Sequence, residues 1–342
     1  MRTIAVVGAG ITGLVAAREL ASHGRRVVLF DGASAVGGKL AGNDLGFDEG
    51  AEALLARRPE AVALVHDLGL ADRLEHPTRA RASLWVGGAL QAIPRSVQGV
   101  PADADDLTGL LSAEGLARLR TEPTRPAPPL TRDVAIGDYV ALRCGDEVTD
   151  RLLEPMLGGV YAGHSRALSF AAVQPALWQR VCGGGSLLGH AAAQLLAAPA
   201  TPPPAPVFAG LRGGVHQLVT ALTADLARRG VKLRTTATVR SVVADRAGYA
   251  IVSGPVPSPR TDHADAVLLA VPATPAARLL TTLAPDAAQP LAAVRTASTA
   301  LVTLVVRRRA RRLGRSRATG RAADDQGPHP LEPEMVVGRQ RG

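Results

Sequence analysis

The residue pattern predicts an α/β protein in which one parallel-sheet domain is interrupted by a second, largely helical domain. Three observations predict it. Residues 4–7 are an apolar run of strand length, followed by a glycine-rich turn, a helical stretch over 12–23 and a second apolar run over 26–30. Residues 102–196 then read as mostly helical, broken by the proline-rich patch 122–129. Helix and strand signals alternate again from Gly213 onward. A βαβ start, a helical insertion and a return to αβ is the order expected of one layered domain split by another.

Each element has a local reason. Gly24 follows the first helical stretch where a left-handed residue ends a helix. Residues 59–70 read as a helix with Pro59 in its first turn, where a missing N–H costs nothing. The apolar run 84–86, then Gly87-Gly88, then 89–93 is a hairpin signal. Residues 197–206 (AAPATPPPAP) read as a linker or exposed loop. Gly213-Gly214 lead into a helix over 215–229. Strands are expected near 232–235, 239–244 and 266–271, the last halted by Pro272.

Composition narrows the function classes. Hydrophobic residues are 46% of the chain and aromatics only 3%, so Ala, Val and Leu must do most of the packing. No apolar run reaches the 18 residues of a membrane span, and the first apolar stretch, 4–7, is too short for a cleavable leader, so none is expected. The expectation is a cytoplasmic protein, with peripheral membrane contact left open. Cys144 and Cys182 lack any C-x-x-C or histidine pair, which argues against a disulfide framework or a metal site. The net charge of +9 is concentrated in residues 307–342, where ten Arg face four acids. The body is near neutral, and no nucleic-acid partner is expected.

The chemistry starts at Gly8-Ala9-Gly10-Ile11-Thr12-Gly13, between the first strand and first helix. Gly8 permits the tight turn, Gly10 lets backbone approach a pyrophosphate, and Gly13 lets helix and sheet pack closely. The helix N-terminus offers free N–H groups and a positive dipole end to phosphate. Asp31 ends the second strand, 18 residues after Gly13, and is placed to accept from a ribose diol, with Gly32 beside it. A second glycine pair follows at Gly37-Gly38, then Lys39, and later Gly50-Ala51-Glu52-Ala53.

A βαβ unit followed by such a Gly-Gly resembles the flavin amine-oxidase and desaturase-like superfamily. The resemblance implies a Rossmann-like FAD/NAD(P)-binding domain, interrupted by an α+β substrate domain with a helical insertion. It implies FAD as cofactor, with Gly38, Lys39 and residues 50–53 running along the pyrophosphate towards the isoalloxazine. Val239 falls on the strand whose main chain reads adenine. Lys39 stands where Arg is commonest, which keeps the charge but loses a planar fork.

Two further segments narrow the family. Residues 153–163 (LEPMLGGVYAG) and 210–214 (GLRGG) resemble the FAD-dependent coproporphyrinogen III and protoporphyrinogen oxidases. That resemblance implies hydride transfer from a meso carbon of a porphyrinogen to the flavin, with oxygen as final acceptor. The cofactor carries the difficult step, so no nucleophile or paired-carboxylate constellation is required. No catalytic side chain is assigned, and no metal. Arg95, Arg166 and Arg180 are candidates for substrate propionates, each also readable as a surface charge. Tyr161 is a candidate cavity wall. The implied division is 1–75 and 206–272 for the FAD domain, 76–205 for the substrate and helical domain, 273–306 for the substrate domain's return, and 307–342 for a basic tail. The alternatives are another amine-oxidase-like flavoenzyme, or a non-catalytic dinucleotide-binding protein whose tail binds nucleic acid.

Hydrophobic periodicity is expected to stop after Val306, where an Arg-rich run begins. Glu332-Pro333-Glu334-Met335-Val336, read one base later, allows Ser, Arg, Lys and then an obligatory Trp. Asp324-Asp325-Gln326-Gly327, shifted likewise, allows Thr-Ile-Lys-Ala. Both out-of-frame strings, at matching spacing, resemble the porphyrinogen oxidases better than the in-frame text does. The expectation is a frameshift near residue 306, and an inactive product.

Overall fold

A computed structural model describes residues 2–43, 45–78, 82–197 and 206–305, together with the backbone of 335–340. Residues 1–297 form one compact unit and 298–342 a second.

In the first unit, β1 (Thr3–Val7), α1 (Ile11–Ser22) and β2 (Arg26–Phe30) form the expected opening. The sheet runs Lys232–Arg234, β2, β1, Ala266–Leu269, with every neighbouring pair parallel. The C-terminal ends of β1 and β2 therefore lie side by side, and the glycine loop leaves the sheet there. Both faces of β1 are covered: Val6, Leu14, Leu29, Val215 and Leu222 share one core, while Ala5 and Phe30 pack with Ile251 and Ala264 on the other side. A strand buried on both faces carries an unbroken apolar run rather than an alternating one, as residues 4–7 do.

The helical insertion has its own core, built from Leu107, Leu119, Ile136, Leu152, Leu157, Phe170, Leu177 and Leu187 among others. At about 1.5–3 kcal/mol for each fully buried side chain of this size, aliphatic residues carry the packing that scarce aromatics do not. The hairpin is Ser83–Val86 with Ala89–Ala92, and Gly87 and Gly88 both have positive φ, as its two-residue turn requires. Cys144 and Cys182 are free thiols. Burial, then neighbouring Glu122, pushes the Cys144 thiol far above the usual range.

The sequence reading missed the antiparallel sheet Val239–Asp245, Gly248–Ser253, Arg260–Ala264, of which only the first strand was expected. Its outer strand, RTDHA, is polar and mostly exposed, so it gives no hydrophobic signal. Phe208–Leu211, which pairs with both Leu54–Leu55 and Leu74–Glu75, also went unread because its two partners are only two residues long. The 59–70 helix ends earlier, at Asp67, with Gly69 at positive φ closing it. Most of the 197–206 linker lies outside the described residues.

In the second unit, Ala300–Val305 pairs antiparallel with Met335–Gln340. Within the tail, Met335-Val336-Val337 supplies β-favouring residues to that strand. Residues 306–334, including the 324–327 segment, lie outside the described residues.

Candidate functional site

The loop between β1 and α1 shows three glycines with three different constraints. Gly8 has φ +104°, and a side chain there would sit 2.6 Å from the Ala270 carbonyl oxygen. At Gly13 a side chain would collide with the Gly8 carbonyl oxygen. At Gly10 it would meet no protein atom within 4 Å. The first two glycines are required by packing. The third is not, which leaves an open space in front of the N-terminus of α1, where a phosphate can approach the backbone. Ala9 is fully buried, Ile11 half-buried and Thr12 exposed at this mouth.

Asp31 is beside the loop, but its carboxylate is not idle. One oxygen accepts from the Ala9 N–H at 2.6 Å and the other from the Ala33 N–H at 2.8 Å. Asp31 thus clamps the glycine loop to the end of β2, and a ribose would use the lone pairs that remain. Gly32 lies against Thr238, whose hydroxyl oxygen would be 2.7 Å from a side chain there. Ala237 donates its N–H to the Asp31 carbonyl at 2.7 Å, which brings half-buried Val239 to the same edge.

The second glycine pair crosses directly over the first loop. Gly37 donates its N–H to the Ala9 carbonyl at 2.8 Å, and a side chain on Gly38 would come within 3.2 Å of the Gly10 Cα. Lys39 is exposed, its carbonyl accepting from the Ala51 N–H at 2.9 Å. Any side chain at Gly50 would collide with that carbonyl. Ala51, Glu52 and Ala53 continue as an exposed strip. The residues singled out for the cofactor are therefore gathered along one edge, from Val239 and Asp31 through the glycine loop to 50–53.

Two side chains at this edge were not anticipated. Asp48, 8% exposed, accepts from the N–H groups of Val215 and His216 at 2.8 and 2.9 Å and from His216 Nδ1 at 2.8 Å. A sequence signal existed: the helix Gln217–Arg228 follows Gly-Gly-Val-His, with no Ser, Thr or Asp of its own to cap it. Its cap had to come from elsewhere in the chain.

The proposed propionate ligands fare differently. Arg166 donates to Asp146 at 2.6 Å and lies within 4 Å of Asp138 and Asp150, so its charge is already met by three acids, in line with the surface-charge reading. Arg95 and Arg180 are exposed. Tyr161 is 40% exposed and donates its hydroxyl to the Val173 carbonyl at 3.2 Å. Among the described residues no cluster of potential metal ligands is present, and no helix is long and apolar enough to cross a membrane.

A parallel sheet with this glycine loop, a carboxylate ending β2 and a crossing Gly-Gly strip defines a dinucleotide-binding oxidoreductase fold. More particularly, the pattern of the flavin containing amine oxidoreductases matches residues 11–333, and the chain belongs to that family. It is 34% identical over 316 residues to the coproporphyrinogen III oxidase of Mycobacterium tuberculosis (strain ATCC 25618 / H37Rv), covering 89% of this chain and 66% of that protein. It is 31% identical over 331 residues to the human protoporphyrinogen oxidase, again covering 89% and 66%. A crystal structure from Exiguobacterium sp. 255-15, assigned as a protoporphyrinogen oxidase, superposes with a TM-score of 0.73 at 28% identity, covering 89% of this chain and 66% of that one. The chain thus spans about two thirds of the length of these relatives.

Proposed function

We propose that this chain derives from an enzyme that binds FAD and oxidises a porphyrinogen, coproporphyrinogen III or protoporphyrinogen IX, to the porphyrin with oxygen as acceptor, the turnover being lost with the frameshift near residue 306. The observation that carries the reading is the open space over Gly10, in a chain related to enzymes of that name. The free N–H groups at the start of α1 and the loop Gly8–Gly13 hold the pyrophosphate. Asp31, Gly32 and Val239 flank the adenosine half. Gly38, Lys39 and the strip Gly50, Ala51, Glu52 and Ala53 line the other half, with Lys39 as a point charge. Bound there, FAD supplies the hydride-accepting chemistry, and the protein supplies orientation and exclusion of water.

The same reading assigns residues 1–75 and 206–272 to the FAD domain and 76–205 to the substrate domain, in a cytoplasmic protein. It is tested by loading the purified chain with FAD and following porphyrin fluorescence from each porphyrinogen under air, with amines as controls. Porphyrin formation that depends on added FAD is the expected result for a form with the reading frame restored after residue 306, and little or none for the chain as it stands. Flavin-loaded protein that consumes amines and leaves both porphyrinogens untouched overturns the substrate.

A further inference from the structure

We infer that Asp48 and His216 act as a positioning pair for the half of the cofactor cradle that lies beyond the pyrophosphate. This rests on the FAD reading above. A dinucleotide with its pyrophosphate at the start of α1 and a ribose at Asp31 must run its other half away from Asp31, along Gly38, Lys39 and residues 50–53. That strip is a short two-stranded ladder. Ala51 donates to the Lys39 carbonyl at 2.9 Å, Glu49 donates to the Ala41 carbonyl at 2.7 Å, and Gly42 bridges to Asp48.

Asp48 bolts the ladder to a different element. Its carboxylate leaves the ladder and takes the Val215 and His216 N–H groups at the start of the helix Gln217–Arg228. That helix packs on α1, where Arg18 Nε meets Asp225 at 3.0 Å. The strip is therefore held at a fixed distance from the phosphate-binding end of α1 through one carboxylate. His216 completes the joint. A carboxylate only accepts, so the proton of the ring lies on Nδ1. The ring itself lies against Gly42, where any side chain would collide with it. Losing either partner frees the strip while leaving the glycine loop and Asp31 in place.

ADP spans the pyrophosphate and ribose sites and reaches no further along the strip than its Gly38 end; FAD runs on to residues 50–53. The experiment titrates flavin-stripped protein with FAD and with ADP, for wild type, Asp48→Asn, His216→Ala and His216→Asn, alongside the thermal midpoint of each apoprotein. Expected is a loss of FAD affinity of about tenfold or more for Asp48→Asn and His216→Ala, with ADP affinity changed by less than about twofold. His216→Asn, whose amide can stand in for the Nδ1–H donor, restores most of the FAD affinity. FAD and ADP weakening by the same factor, in step with the thermal midpoint, reduces the pair to a structural cap and overturns the inference. So does unchanged FAD affinity in all three variants. Wild-type protein that binds neither nucleotide overturns the cofactor reading itself, and is distinguished from the variant results by that measurement alone.

Discussion

The nucleotide half and the helical insertion each bury one carboxylate under a helix N-terminus, and they neutralise it differently. In the insertion, fully buried Glu122 accepts from the Leu187 and Leu188 N–H groups at 2.8 and 3.3 Å and from the Ser186 hydroxyl at 2.6 Å. A permanently charged partner, Arg143, meets it at 2.5 Å and is itself only 5% exposed. In the nucleotide half, Asp48 has the same two backbone donors but only a histidine ring as counterpart. The helical region is thus locked by a fixed ion pair inside its own core. The cofactor edge is held by backbone N–H groups on the Asp31 and Asp48 carboxylates and by close glycine contacts, with no buried Arg–Glu pair of that kind among the described residues. That arrangement leaves the edge free to receive the negative charge of a pyrophosphate.

Removing the lock should produce the largest effect. Glu122→Ala leaves Arg143 buried without a counter-charge and two helix N–H groups without an acceptor. Breaking such a pair costs about 3–5 kcal/mol, a large share of the stability of a typical domain. Urea unfolding of the apoprotein should show that loss. Glu122→Ala destabilising by less than about 1 kcal/mol would mean that the pair is not what holds the insertion together.

Gly10→Val sharpens the contrast from the other side. A side chain at Gly10 meets no protein atom within 4 Å, so the apoprotein should unfold within about 0.5 kcal/mol of wild type, as for a change that touches nothing. FAD affinity, in contrast, should fall about 100-fold or more, some 2.7 kcal/mol, because the side chain occupies the space left for phosphate. The variant would then separate folding from binding at one position. Retention of flavin at wild-type levels removes Gly10 from the site.

What the sequence made legible follows the same division. The glycine loop was readable because each glycine answers a backbone requirement, and such requirements are local: a turn at Gly8, a helix–loop contact at Gly13, an open approach at Gly10. The order of β1, α1 and β2 was readable because a doubly covered strand shows an unbroken apolar run. Asp48 and His216 were not, since nothing local marks an acid that caps a helix 167 positions away. The short strands Leu54–Leu55 and Leu74–Glu75 carry too few residues for any period to appear. Arg166 stayed open between a propionate ligand and a surface charge because a lone Arg in a helical stretch does not reveal that three acids fold around it.

Asp31→Ala tests whether the clamp on the loop matters before any cofactor arrives. The carboxylate already takes two backbone N–H groups, so its loss should weaken the apoprotein as well as FAD binding. Hydrogen bonds to a charged group contribute about 1.5–3 kcal/mol, and about 2 kcal/mol is the expected total loss of FAD affinity. A fall in FAD affinity with an unmoved thermal midpoint would mean that Asp31 acts on the ribose alone.

The smallest effect is expected at Asp225, which ties α1 to the helix Gln217–Arg228. Its oxygens meet Arg18, Arg228 and Arg229 at 3.0, 2.9 and 2.7 Å, and the side chain is 10% exposed. Burial by itself raises its pKa; hydrogen bonds from Arg229 and Arg18 outweigh it and hold the carboxyl below the usual range. The sign follows from that depression. A carboxylate titrating lower in the folded than in the unfolded chain contributes stability above its unfolded value, about 3.9, and loses it as pH falls through the folded one. Asp225→Asn should therefore cost about 1 kcal/mol at pH 7, the scale of a partly exposed ion-pair network. The deficit relative to wild type should stay constant down to about pH 5 and shrink only below about pH 4. Urea unfolding of both proteins across that range checks it. A deficit that instead shrinks near pH 6 would point to a histidine as the titrating group, and the Arg18–Asp225 tie would no longer account for how α1 is held against the helix that Asp48 caps.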